Sequence, residues 1–297
     1  MLRFQEAKII KKRLKCYILG DKLTRETVKL RDLNHLSEIF HSYDTYIIDL
    51  WGVMHNGISL NPKAVEVIEN LNKNSKKIVF LSNAPRPSLK VINFLKKMKM
   101  DDKFLSKVVT SGEVAMLAVN RNKFGKKFYH LGPPRDNSIF EKVQENKTTL
   151  EKCDFILCTG LFDEECENLK FYEDLLINYT NKKLICTNPD LVVHRGGEEE
   201  YCAGKIAEIF ESLGGKVVYF GKPYKEVYLS CLKTNQKTLV IGDNLRTDIK
   251  GANNMKLDSI FITSGVHKSK TINENLMEKL LAEHKVSANY FQKELTW

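Results

Sequence analysis

Short runs of β-branched and aromatic residues alternate along the chain with stretches in which apolar residues return every three or four positions. A strand buried on both faces reads as a continuous apolar run, whereas a covering helix needs only one apolar stripe. The alternation therefore predicts an α/β fold, a parallel sheet wrapped by helices. The strand segments are Tyr46–Leu50, Lys77–Ser82, Lys107–Ser111, Lys127–Leu131, Asp154–Thr159, Lys183–Thr187, Lys216–Phe220, Thr238–Gly242 and Asp258–Thr263. After Asn61-Pro62, a helix start, Ala64, Val65, Ile68 and Leu71 fall on one helical face. Val91, Ile92, Leu95 and Met98 mark a second helix, and Ile206, Ile209, Phe210 and Leu213 a third, closed by Gly214-Gly215. A last helix is expected from Ile272 to about Lys285. Residues 1–40 are rich in lysine and weaker in periodicity, and read as an N-terminal arm packed on the main domain or used in self-association.

Composition narrows the class. At 297 residues the chain is long enough for two α/β units, and 42% apolar residues supply a core. No repeat or low-complexity linker divides it, so a second domain has to arise by insertion. Lys and Arg exceed Asp and Glu by 47 to 37. The excess is scattered in short lysine runs such as Lys76-Lys77 and Lys126-Lys127, which fits solvated faces better than a nucleic-acid footprint. No apolar run approaches the roughly 20 residues of a membrane span, and the first residues lack the pattern of a secretory signal. The cysteines number seven, an odd count without a CxxC pair or zinc-like spacing. Free thiols in a reducing, cytoplasmic setting are the expectation.

Candidate chemistry sits at strand ends, where the reactive groups of an open parallel sheet gather. Tyr46-Ile47-Ile48-Asp49 is an apolar run ending in a carboxylate, with Gly52 close behind for a sharp turn. Alone, Asp49 is as readily a turn residue. A second run, Thr238-Leu239-Val240-Ile241-Gly242-Asp243, ends the same way, with Asp248 five residues on. Two strand-end carboxylates can converge on magnesium, which accepts sparse carboxylate ligation completed by water and phosphate. Ser82 and Asn83 end another strand and can donate to phosphate oxygens; Lys222, on the Gly221-Lys222-Pro223 turn, can hold a nucleophile and a phosphoryl group together. Singly, Ser82 reads as a helix cap and Lys222 as a solvated turn residue. The order Asp…Ser…Lys…Gly-Asp-x4-Asp is what raises them to a site.

With these motifs the chain resembles the haloacid dehalogenase-like (HAD) superfamily, and within it the NagD-like class IIA phosphatases, over about residues 42–267. The resemblance rests on Asp49-Leu50-Trp51-Gly52-Val53, Leu81-Ser82-Asn83-Ala84, Gly221-Lys222-Pro223, Gly242-Asp243-Asn244-Leu245-Arg246-Thr247-Asp248 and Thr263-Ser264-Gly265-Val266. It implies a Rossmann-like core at 41–111 and 204–297 with an inserted α/β cap at 112–203. By that resemblance Asp49 is the nucleophile, Ser82 and Lys222 hold phosphate, and Mg2+ is bound by Asp49, Asp243, Asp248 and the backbone carbonyl of Trp51. Asn83, with Asn188, Asp190, His194 and Arg195 of the expected cap loop, would contact the substrate, a small phosphorylated metabolite, although Asn188-Pro189-Asp190 also reads as a plain turn. Class IIA relatives often pair through their caps, so a homodimer is implied.

One position departs from the pattern. Two residues after the nucleophile, where the superfamily's phosphatases carry an acid/base aspartate, stands Trp51. Indole offers only a donor N–H and cannot relay a proton, and a missing positioned acid costs roughly 10²–10⁴ in rate. Three readings stay open: a slow or selective phosphatase, a phosphate-ligand-binding protein without turnover, and, ranked last because the metal carboxylates persist, dehalogenase-type chemistry. His55 is near enough in sequence to be considered as a substitute acid, against the simpler reading of a packed histidine.

Overall fold

The strand segments read from the sequence all form strands in the computed structural model, each end within one residue of expectation, but they divide between two sheets. The structure describes residues 30–195, 198–265 and 274–297. In chain order the larger sheet is built from β1 (Arg31–Asp32), β2 (Thr45–Asp49), β3 (Lys77–Ser82) and β4 (Val108–Thr110). Helices α1 (Pro62–Lys73) and α2 (Ser88–Lys97) connect β2 to β3 and β3 to β4. Asn61 caps α1 by accepting from the Lys63 N–H at 3.1 Å, and Pro62 occupies its first turn, where its missing donor costs nothing. Ala64, Val67, Ile68 and Leu71 of α1 are buried against the sheet.

Helix α3 (Ser111–Val119) then leads to the smaller sheet: β5 (Phe128–Leu131), β6 (Phe155–Cys158), α4 (Leu169–Leu176) and β7 (Lys183–Cys186). A hairpin, β8 (Val192–Arg195) and β9 (Glu198–Tyr201), precedes α5 (Ala203–Ser212) and β10 (Lys216–Tyr219). The chain then runs through α6 (Lys225–Cys231), β11 (Thr238–Gly242), a π turn at Leu245–Ile249 that continues as α7 (Lys250–Asn254), β12 (Asp258–Ile262), α8 (Glu274–Glu283) and β13 (Tyr290–Gln292).

All pairings within the two large sheets are parallel. The seven-stranded order is β1-β13-β12-β11-β2-β3-β4 and the four-stranded order is β10-β7-β6-β5. One expectation is corrected here. The strand after Gly215, read as part of the Rossmann-like core beginning at 204, pairs instead with β7, Lys216 opposite Lys183 through Tyr219 opposite Cys186. Its helix α5 buries Ile206, Ala207 and Phe210 against Ile156, Leu184 and Cys186 of the smaller sheet. Strand periodicity identifies a strand but not its neighbour, so the boundary that the resemblance implied at 203 falls one helix and one strand too early. The chain returns to the larger sheet only after Tyr219.

The edge strands β1 and β13 and the β8–β9 hairpin are too short or too polar to register as apolar runs. Of the expected N-terminal arm, residues 1–29 lie outside the described residues. Residues 30–40 pack on the larger sheet, burying Leu33, Leu36 and Phe40. The expected last helix is α8, and residues 266–273 before it are likewise outside the described set. Among the described residues no helix is long and apolar enough to cross a membrane.

Candidate active site

Strand β2 lies between β11 and β3, with Ile48 opposite Ile241 on one side and Asp49 opposite Leu81 on the other. Three neighbouring strands therefore release Asp49, Ser82 and Asp243 at one edge, the carboxyl end of the sheet. Close approach at this edge requires glycine. A Cβ on Gly52, whose φ is +88°, would stand 2.0 Å from Asp243 Oδ2, and one on Gly265 would stand 1.8 Å away. The two glycines let the loops after β2 and β12 close on the same carboxylate.

Lys222, only 3% exposed, is the hub. Its Nζ donates to Asp49 Oδ1 and, at 2.8 Å, to Asp248 Oδ1. Asp248 also accepts the Asn244 N–H at 3.2 Å, while the Asn244 side chain accepts from the Arg246 N–H, which sets the turn into α7. Asn83 clamps the Lys222 turn from the other side: its Oδ1 accepts the Lys222 N–H at 2.8 Å and its Nδ2 donates to the Lys222 carbonyl at 3.4 Å. Asn83, expected as a substrate contact, holds the lysine turn in place and also bonds the Asp190 side chain. Ser82 is nearly buried, and its Oγ accepts the Ala84 N–H at 3.2 Å, leaving its hydroxyl hydrogen to donate elsewhere.

Charge decides what this arrangement can hold. Asp49, Asp243 and Asp248 are all buried and offer oxygens within 4.8 Å of one another. Burial lifts Asp49 well above the ordinary carboxylate range; Lys222 opposes the shift, and Asp248 and Asp243 add to it. Burial works to lower Lys222, but Asp248, Asp49 and Asp190 outweigh it and hold the ammonium charged far above its usual range. Asp49 and Asp248 share the Lys222 ammonium, and all three carboxylates bring an oxygen to one buried point. A hard divalent cation with oxygen ligands fits that donor set, as magnesium does.

Two family models match the chain: one for haloacid dehalogenase-like hydrolases over residues 46–145, and a HAD-hydrolase-like model over 219–286. The chain belongs to the haloacid dehalogenase-like hydrolases, in their NagD-like class IIA branch. It is 26% identical over 250 residues to the 5'-nucleotidase YutF of Bacillus subtilis, covering 80% of this chain and 93% of that one. It is 28% identical over 249 residues to an acid sugar phosphatase of Staphylococcus haemolyticus, with 80% and 90% covered. Among solved structures, a haloacid dehalogenase-like hydrolase from Brucella suis superposes with a TM-score of 0.78 at 28% identity, over 90% of this chain and all of that one.

In this HAD-like hydrolase the smaller sheet delivers a loop to the same edge. Ser111, at the start of α3, donates to the carbonyls of Thr187 and Ala84, and a Cβ on Gly221 would collide with Pro189, Asn83 and Ser111. The Cys186–Asp190 loop is thereby seated on the Lys222 turn. Asn188 accepts the Asp190 N–H at 3.1 Å, so the turn reading accounts for its amide. Asp190 does face the site: its Oδ1 lies 3.5 Å from Asn244 Nδ2, and burial raises its pKa while Lys222 opposes the rise. His194 sits on β8 with Nε2 3.5 Å from Glu199. Its Nδ1 is shielded, with no partner among the described residues. Arg195 closes β8, but its side chain lies outside the described residues.

Trp51 makes a contact that could not be read along the chain. Its Nε1–H donates to the backbone carbonyl of His194 at 2.8 Å. The ring packs on Gly57, where a Cβ would come within 2.6 Å of it, and edge-on to His55 at 5.1 Å between centroids. His55 is buried, accepts the Gly57 N–H on Nδ1 at 3.1 Å and packs against Phe94. It is the packed histidine of the simpler reading. Beside Trp51 opens a cleft of about 380 Å³, lined among others by His55, Asn56, Asn61, His194, Asp243 and Glu294.

Proposed function

We propose that this chain is a Mg2+-dependent phosphatase that removes phosphate from a small phosphorylated metabolite through an aspartyl-phosphate on Asp49. The observation that carries the reading is the buried set of Asp49, Asp243 and Asp248 at the carboxyl edge of the sheet, with Lys222 shared by Asp49 and Asp248. Asp49, Asp243, Asp248 and the Trp51 carbonyl would hold the ion, which supplies charge neutralisation for an anionic nucleophile meeting an anionic phosphate. Asp49 forms the new bond to phosphorus as the ester P–O bond breaks, and the leaving oxygen departs with the electron pair. Lys222 orients Asp49 and, with the Ser82 hydroxyl, holds the phosphoryl oxygens. Water then cleaves the aspartyl-phosphate and regenerates Asp49. The smaller sheet, residues 112 to about 219, serves as the cap, with Asp190 and His194 facing the substrate.

With Trp51 tied to His194, no group at that position protonates the leaving oxygen, so leaving groups that depart readily as anions are favoured. Turnover of p-nitrophenyl phosphate in Mg2+ should exceed that of simple alkyl phosphates by far more than a difference in binding explains, and Asp49→Asn should reduce it to background. The same observation at Trp51 supports the second reading, a protein that binds a phosphorylated ligand without turnover. Failure to hydrolyse either ester, together with tight binding of beryllofluoride in Mg2+, would decide for it.

A further inference from the structure

The reacting groups lie behind a closed front. Asp49 is 6% exposed, Lys222 3% and Asp243 2%, too little for a phosphoester to reach the nucleophile. The 380 Å³ cleft beside them reaches Asp243, Gly52 and Gly265, but Asp49, Ser82 and Lys222 are not among the residues that line it. The Trp51 indole, bonded to the His194 carbonyl, lines that cleft beside Gly52 and Asp243. Among the described residues two ties flank the hairpin: Asp190 Oδ1 lies 3.5 Å from Asn244 Nδ2 before β8, and Arg246 meets Glu208 of α5 at 3.4 Å after β9. Ser111–Thr187 and Asn83–Lys222 sit where the chain crosses from one sheet to the other, and Arg86 Nε meets the buried Asp136 at 2.6 Å. Between those flanking ties, the hairpin meets the nucleophile loop through the Trp51–His194 bond. Only two strands pair within it, and an isolated hairpin of that size is marginal in water.

We propose that Trp51 is a gating and positioning residue: its indole N–H, by holding the His194 carbonyl, keeps the β8–β9 hairpin across the entrance to Asp49. Admission of substrate requires that bond to break, and the leaving group occupies the Trp51-side cleft once it re-forms. This deepens the phosphatase reading, and it explains why the acid position is filled by a ring: the residue two after the nucleophile is here a strut between core loop and hairpin. Gly57 fits the same account, because any side chain there would strike the ring and displace it.

The gate is testable without turnover, so its failure is distinct from failure of the phosphatase reading. The chain has two tryptophans, and Trp297→Phe leaves Trp51 as the sole indole. In that variant the single indole N–H should be protected from solvent exchange in the free protein, and binding of beryllofluoride with Mg2+ should alter the protection. An indole N–H that exchanges as in a free peptide would overturn the proposal. Trp51→Phe keeps the ring and removes the donor. Backbone amides of residues 192–201 should then exchange roughly five- to tenfold faster, the factor that one net hydrogen bond of ordinary strength supports. Amides of β2 and β11 should be unchanged. Unaltered exchange in the hairpin would equally refute the gate. Trp51→Asp should loosen the hairpin in the same way, so any gain with alkyl phosphates would fall short of the ~10²–10⁴ that a positioned acid provides; a gain of that full size would show that the strut is dispensable.

Discussion

Replacing Asp243 by asparagine should separate what the site does for stability from what it does for metal binding. The substitution keeps shape and removes one of three buried charges. Carboxylate oxygens within 4.8 Å of one another repel by at least about 3.5 kcal/mol per fully ionised pair at an effective dielectric of about 20. Asp243→Asn abolishes two such pairs, with Asp49 and with Asp248. The raised pKa of Asp49 already relieves part of this, and the favourable contacts of the Asp243 carboxylate are lost with its charge. A net gain of about 1–3 kcal/mol in the metal-free protein is the reasonable expectation. Magnesium should reverse the order. At a hundredfold excess over its dissociation constant it stabilises the parent by about 2.7 kcal/mol and should leave the asparagine variant nearly untouched. Denaturant titrations of both proteins in EDTA and across a Mg2+ series measure all four corners. If metal-free Asp243→Asn is the weaker protein and Mg2+ stabilises both alike, the three carboxylates are not a cation site.

Lys222→Met should be the opposite case, because it leaves Asp49 and Asp248 buried without their shared cation; a loss of about 3–5 kcal/mol is expected in denaturant titrations without metal. His130 gives a pH prediction away from the site. Burial, and then Lys147, lower its pKa to about 4, and its Nε2 lies 2.9 Å from Thr159 Oγ1. A histidine kept neutral in the fold contributes stability that is fully present above its unfolded pKa near 6.5. That contribution is lost as the pH falls through the folded value near 4, by up to about 3 kcal/mol. His130→Phe should flatten that acid limb in denaturation curves taken from pH 7 to pH 4; an unchanged limb would assign it to other groups.

Much of the site was legible because its logic is local. Asp49, Ser82 and Asp243 each end an apolar run, and in a parallel sheet all strand ends of that kind point to one edge. Lys222 was legible through its Gly-Lys-Pro turn, although the strand before it belongs to the other sheet. Asn83 shows the limit of such reading. Its place in the motif was plain, but whether its amide faces ligand or clamps Lys222 depends on a backbone 139 residues away.

The amino-acid order by itself determined the elements, their α/β alternation and the carboxylates at the strand ends, because apolar periodicity and turn chemistry act over a few residues. It could not determine which strands are neighbours, since β10 is as apolar as a strand of either sheet and only pairing with β7 and the packing of α5 settle its place. Nor could it give Trp51 a role. Read along the chain, that residue is an acid that is missing. In the folded molecule its indole bonds a carbonyl on a hairpin of the other unit, a partner that tertiary contact alone supplies.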